Sequence, residues 1–176
     1  MSGVRVATVW LDGCSGCHMS LLDNDEGIIE LFGDVEMVYS PLVDAKEFPE
    51  GVDVALVEGS VSSDHDLSLI QKIRERTKIL VALGDCAVTG NIPAMRNPFT
   101  VKSVMDRAYI ENATLQQQIP TERIPLLLRH SRPIHELVPV DVFVPGCPPS
   151  AGLIAFVVSE LKAGRMPDVS EHFKFG

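Results

Sequence analysis

A flavodoxin-like, doubly wound α/β fold is what this sequence predicts: a parallel sheet with a proline-rich insertion before the last strand. Three observations carry the prediction. Short apolar, β-branched runs recur along the chain and stop at turn residues, segments with helical periodicity lie between them, and six prolines crowd into residues 91–139. Continuous apolar runs suit parallel strands covered on both faces. Strand–helix alternation implies right-handed crossovers around one sheet.

Taken in order, the first strand is Val4–Trp10, ended by Asp12-Gly13. A helix follows over Cys17–Phe32, with Leu21, Leu22, Ile28, Ile29 and Phe32 on its apolar side. Val35–Tyr39 is the second strand and Val52–Val57 the third, closed by Glu58-Gly59-Ser60. The stretch "SSDHD" offers an N-cap to a helix in which Leu67, Ile70 and Ile73 recur at three-residue spacing. Lys78–Leu83 is the fourth strand. The insertion at 91–139 carries Pro93, Pro98, Pro120, Pro125, Pro133 and Pro139, so it reads as loop around one helix at about Val101–Gln118. Long insertions of this kind are often functional. Val140–Val144 is the fifth strand, and Ser150–Ala163 the last helix, with Ser150 as cap and Gly164 as stop. The length, 176 residues, suits a single domain over 1–176.

Composition narrows the functional classes. No window approaches eighteen consecutive apolar residues, so no membrane span is expected. The opening "MSGVRVATVW" lacks a signal-peptide layout and a twin-arginine motif, and the expected location is the cytoplasm. The net charge of −9 argues against a nucleic-acid binder, which needs a basic face. Residues 91–139 hold Arg96, Lys102, Arg107, Arg123, Arg129 and Arg132 against Asp106, Glu111, Glu122 and Glu136; they sum to +2 and leave −11 on the rest. That segment is either a solvated surface or a place where a partner docks.

The chemistry is concentrated in four cysteines. In a reducing compartment they are poor candidates for structural disulfides. Cys14 and Cys17 follow the first strand in "LDGCSGC", Cys86 follows the fourth in "VALGDC", and Cys147 follows the fifth in "VFVPGCPP". All lie just beyond the carboxyl ends of parallel strands, where open α/β sheets hold their ligands. Gly13, Gly16, Gly84 and Gly146 sit within two residues of a cysteine, and glycine admits close backbone approach and N–H donation to sulfur. Pro148 and Pro149 stiffen the turn after Cys147. A βα turn that happens to contain cysteine explains any one position, but poorly explains four on one edge. A thioredoxin-like disulfide leaves Cys86 and Cys147 without a role. Four-cysteine zinc sites usually use two close pairs, and here there is one. One close pair plus two remote ligands suits a [4Fe–4S] cluster.

The stretches "WLDGCSGCHMSLLD", "VEGSV", "GDC" and "VPGCPPSA" resemble the small subunit of [NiFe] hydrogenases and its relative, the cluster-bearing 20-kDa subunit of respiratory complex I. Within that group the similarity is greatest to the small subunit of cytoplasmic NAD-reducing [NiFe] hydrogenases, and it spans nearly the whole chain. Complex I carries two adjacent cysteines at the first motif, whereas here Gly13 precedes Cys14. The chain ends about thirty residues after Cys147 without a further cysteine. Membrane-bound, periplasmic and hydrogen-sensing types usually carry an extension there for more clusters.

The resemblance implies that Cys14, Cys17, Cys86 and Cys147 bind one [4Fe–4S] cluster beside a nickel–iron centre in a large-subunit partner. It further implies a diaphorase module, with iron–sulfur and flavin subunits, FMN and NAD, receiving the electrons. The chain would then be a subunit of a hydrogen:NAD+ oxidoreductase, without hydrogenase activity alone. Glu58 is expected to face the cluster region or the partner, or to be an ordinary strand-end carboxylate. His18, beside Cys17, either bonds a cluster sulfur or a partner residue, or is a partly exposed helix-start histidine. The first βα turn is filled by cysteines and lacks a Ser/Thr-rich phosphate loop, so no flavin is expected in this chain. Two alternatives stay open: the same cluster in a complex I-like or other reductase, and a non-redox scaffold with a structural zinc.

Overall fold

The fold is that of a computed structural model describing residues 3–170 and 172. Its elements are β1 (Val4–Trp10), α1 (Gly16–Leu22), α2 (Gly27–Phe32), β2 (Val35–Tyr39), β3 (Val52–Glu58), β4 (Val61–Ser63), α3 (Asp64–Arg76), β5 (Thr77–Leu83), α4 (Asp85–Thr89), α5 (Asn91–Ala94), α6 (Val101–Asp106), β6 (Leu127–Arg132), β7 (Val142–Val144) and α7 (Ala151–Lys162). The main sheet runs β2-β1-β3-β5-β7, every pair parallel. Counted along the main sheet alone, that order is the doubly wound one expected, with strand order reversing between β1 and β3.

Both faces of the sheet are buried, which is why its strands read as unbroken apolar runs. Along β3, Val54 and Leu56 face one core with Leu21 of α1, Leu31 of α2 and Ile154, Val157 and Leu161 of α7. Ala55 and Val57 face the other, with Ile70 and Ile73 of α3, Ala87 of α4 and Ile134. The two-residue period of the strand thus sorts alternate side chains into separate cores.

Helix ends follow the chemistry of their capping residues. Ser63 accepts from the Asp66 N–H (3.1 Å) while the Asp66 carboxylate accepts from the Ser63 N–H (2.9 Å), a complete capping box on α3. Ser150 caps α7 by accepting from Leu153 N–H, and Gly164 follows its end at φ +73°.

Four details differ from the sequence expectation. The helix expected over 17–32 is two helices, because the Asn24 amide donates to the Leu21 carbonyl (2.9 Å) and Asp25 turns to φ +49°; short polar side chains compete for the backbone in this way. The helix expected to Gln118 ends near Glu111, after α6 and one π-helical turn over Arg107–Glu111. Neither piece buries a residue, so no packing supports a longer helix. The last strand starts at Val142, since Asp141 turns its carboxylate onto the Leu80 N–H (2.7 Å).

The fourth difference is that the insertion is anchored rather than loose. Its β6 pairs antiparallel with β4, and the Asn97 amide holds both the N–H and the carbonyl of Ser131 at 2.8 Å. Arg96 donates to the carbonyls of Ser62 and Leu128. Six of the insertion's ten charged side chains pair with one another, Lys102 with Asp106, Arg107 with Glu111 and Arg132 with Glu136, each four residues on, and its net +2 rests on Arg96, Arg123 and Arg129 against Glu122. Among the described residues, no helix is long and apolar enough to cross a membrane.

Candidate metal centre

The turns at the carboxyl ends of β1, β5 and β7 bring the four cysteines to one edge of the sheet. Cys14 sits in the turn after β1 and Cys17 in the first turn of α1; Cys86 opens α4, and Cys147 follows β7. All four are free thiols, and they differ in exposure. Cys17 is buried at 8%, Cys86 is half-buried, and Cys14 and Cys147 face outward. Burial pushes the Cys17 thiol far above its ordinary value, and the charges of Glu58, Cys86, Cys14 and Cys147 push the same way. Each of the other three thiols is thus felt at Cys17. Burial also raises Cys86, with Cys147 adding to it, against a lowering hydrogen bond from the Ile92 N–H. Thiols that resist ionising, as Cys17 and Cys86 do, need positive charge beside them before they can act as ligands.

Reciprocal hydrogen bonds fix the turns. The Asp85 N–H donates to the Gly146 carbonyl (2.9 Å) and the Gly146 N–H donates to the Asp85 carboxylate (2.7 Å). Gly84 N–H donates to the Val144 carbonyl (2.7 Å). Asp85 and Gly146 immediately precede Cys86 and Cys147, so this clasp sets the separation of two thiols that are distant in sequence. The Ser20 hydroxyl donates to the Pro149 carbonyl (2.6 Å) and joins α1 to the same turn. On the β1–β3 side, Asp12 and Ser60 exchange backbone bonds of 3.1 and 2.8 Å. The motif "GDC" holds Asp85 in plain view, but its partner lies 61 residues away and no local pattern announces it. Replacing Asp85 by alanine is expected to reduce iron retained per chain several-fold while leaving the far-ultraviolet circular dichroism unchanged; full retention would show that the clasp is dispensable.

Gly84 shows why the site tolerates no side chain there. A Cβ on it would stand 2.2 Å from the Cys17 sulfur, and its φ of +80° suits glycine. The Cys17 sulfur therefore lies directly against the backbone of the β5 turn.

Behind the thiols, Glu58 and His18 form a buried pair. Glu58, 2% exposed at the end of β3, accepts from the His18 backbone N–H at 3.0 Å and lies 2.5 Å from His18 Nδ1. The ring nitrogen facing the carboxylate is accordingly the donor, and His18 Nε2, buried, has no hydrogen-bond partner among the described residues. His18 is 6% exposed, so the expectation of a partly exposed histidine does not hold. The pair ties the start of α1, and with it Cys17, to the middle of the sheet.

The donor set fits an iron–sulfur cluster: four thiols on one edge, backbone pressed against the Cys17 sulfur, and the Asn91 amide N–H donated to the Cys147 sulfur. Among the described residues, no three His, Cys, Asp or Glu side chains draw together tightly enough to hold a single metal ion. Four thiolates on one zinc would stand about 3.8 Å apart, given Zn–S bonds of about 2.3 Å.

Fold and cysteine pattern together define a family, and the chain belongs to it: that of the NADH ubiquinone oxidoreductase 20 kDa subunit, matched over residues 14–161. Among individual proteins, it is 39% identical over 171 residues to the delta subunit of the NAD-reducing hydrogenase HoxS of Cupriavidus necator, covering 94% of this chain and 82% of that protein. It is 42% identical over 166 residues to a subunit of the vhu F420-non-reducing hydrogenase of Methanocaldococcus jannaschii. That match covers 93% of this chain but 58% of the relative, so the chain spans little more than half of it. A chain in the crystal structure of an NAD+-reducing [NiFe]-hydrogenase in the H2-reduced state superposes with a TM-score of 0.91 at 38% identity, covering 98% of this chain and 96% of that one.

Proposed function

We propose that this chain is the electron-transfer small subunit of an NAD-reducing [NiFe] hydrogenase. In this reading, residues 1–176 form one iron–sulfur domain, and Cys14, Cys17, Cys86 and Cys147 hold a single [4Fe–4S] cluster. A large subunit carries the nickel–iron centre, and a diaphorase module with FMN passes the electrons to NAD+ in the cytoplasm. The observation that carries the reading is the gathering of four thiols on one edge, in a chain that superposes almost end to end on one from an NAD+-reducing hydrogenase.

When bound, the cluster supplies a one-electron carrier whose potential answers to charge, hydrogen bonding and solvent around it. The residues of this chain do the rest. The Gly84 backbone, the Glu58–His18 pair and the apolar core behind Cys17 exclude water from the inner side. The outward thiols, Cys14 and Cys147, lie on the side where an electron donor or acceptor must approach. All four cysteines are committed to the cluster, which leaves none for a nickel site, so hydrogen splitting belongs to the partner.

Metal and sulfide analysis of the anaerobically purified protein, with whatever accompanies it, tests the proposal. The expected result is about four iron and four sulfide per chain, with a nickel-bearing larger subunit attached. The same cluster with a nickel-free partner would instead indicate a complex I-like reductase. One zinc without sulfide would indicate a structural scaffold.

A further inference from the structure

We propose that Asn91 tunes the reduction potential of the cluster by donating its side-chain N–H to the sulfur of Cys147. The amide nitrogen lies 3.4 Å from that sulfur, across 56 residues of sequence. The proposal rests on the reading that the four cysteines hold a cluster, and extends it to a residue outside the ligand set.

Local backbone geometry explains how Asn91 arrives there. Gly90, between α4 and α5, and Asn91, the first residue of α5, both turn to positive φ, +87° and +33°. This doubles the chain back over the Cys86–Cys147 side of the site. The turn therefore presents a side-chain donor to a sulfur that follows a different strand. Asparagine is among the few residues besides glycine that enter this conformation readily. It is also the one that brings an amide N–H with it.

The direction of the effect follows from charge. Reduction adds an electron, and negative charge grows on the ligand sulfurs. An N–H held against one of them stabilises the reduced state more than the oxidised one and raises the potential. Without the donor, the potential falls.

Asn91→Gly removes the donor and keeps the backbone conformation. Asn91→Asp is nearly isosteric and replaces the donor by an anionic oxygen. Asn91→His places Nδ1 about where the amide nitrogen was and restores a donor. The measurement is an EPR-monitored redox titration of the full chain, with iron and sulfide determined on the same samples. Asn91→Gly is expected to keep its cluster and to show a reduction constant three- to tenfold lower, a shift of about 30–60 mV for a one-electron couple. Asn91→Asp is expected to fall lower still, and Asn91→His to return toward the native value.

A native potential in an Asn91→Gly protein with full iron and sulfide would overturn the inference, leaving Asn91 as a turn residue only. If the glycine variant loses its cluster, the order of the aspartate and histidine variants decides instead: equal potentials overturn the inference. A wild-type chain with no iron and sulfide would overturn the proposed function and this inference with it, an outcome distinct from an unmoved potential.

Discussion

Gly84→Ala is expected to abolish cluster binding, with iron and sulfide falling to less than about a tenth of the native content while the chain still folds. The added methyl would sit 2.2 Å from the Cys17 sulfur, well inside van der Waals contact, with the Gly146 carbonyl at 3.4 Å and Pro149 at 3.7 Å closing other routes. The backbone conformation alone, φ +80° and ψ 163°, is one that essentially only glycine adopts and costs about 1–3 kcal/mol for another residue. The larger effect is displacement of the sulfur. Cys17 cannot swing away cheaply, because it is buried in the core beneath α1 and tied through His18 to Glu58. A double-mutant comparison separates the two costs. In a Cys17→Ala background the clash is relieved, and adding Gly84→Ala should lower stability by only the backbone cost, about 1–3 kcal/mol. Retention of full iron content by Gly84→Ala would show that the Cys17 sulfur does not rest against this backbone.

Glu58→Ala is expected to be the most destabilising single change at the site. Its carboxylate serves a backbone N–H and an imidazole nitrogen in a place where water cannot substitute. Removing one member of a buried, charge-assisted pair costs about 3–5 kcal/mol. In a chain of this size that lowers Tm by about 6–20 °C. Glu58→Gln keeps an acceptor and loses only charge assistance, so its loss should be about 1–2 kcal/mol. Thermal unfolding followed by circular dichroism separates these values. A Tm within about 2 °C of native for the alanine variant would show that the pair contributes little to folding.

Much of the architecture was legible because parallel strands covered on both faces leave a strong local signature. The β-branched runs at 4–10, 35–39, 52–57 and 78–83 each became a strand of the main sheet with only terminal adjustment. The placement of the cysteines followed directly, since a thiol just past such a run must lie on the carboxyl edge. Elements whose existence depends on non-local partners were not legible. β6 is a strand because β4 lies beside it, and β4 is three residues long. His18 reads as a helix-start histidine until Glu58, 40 residues away, closes over it. The Asp85–Gly146 clasp is invisible for the same reason. The charge of the insertion was a different matter: the spacing of Lys102 and Asp106, Arg107 and Glu111, and Arg132 and Glu136 was present in the sequence, and it predicts mutual neutralisation as readily as a docking surface.

The unequal exposure of the four thiols also sets an order of manufacture. Cys17 is sealed from behind by the sheet, while Cys14 and Cys147 open outward. On the proposed reading, iron and sulfide reach the site through the Cys14–Cys147 side, before a partner docks there. A newly made chain would then pass through a stage in which its cluster is lodged but unroofed, open to chelators and dioxygen. The partner that covers that face would serve as a lid as well as an electrical contact, and the interval between loading and covering would be when the molecule is most easily spoiled.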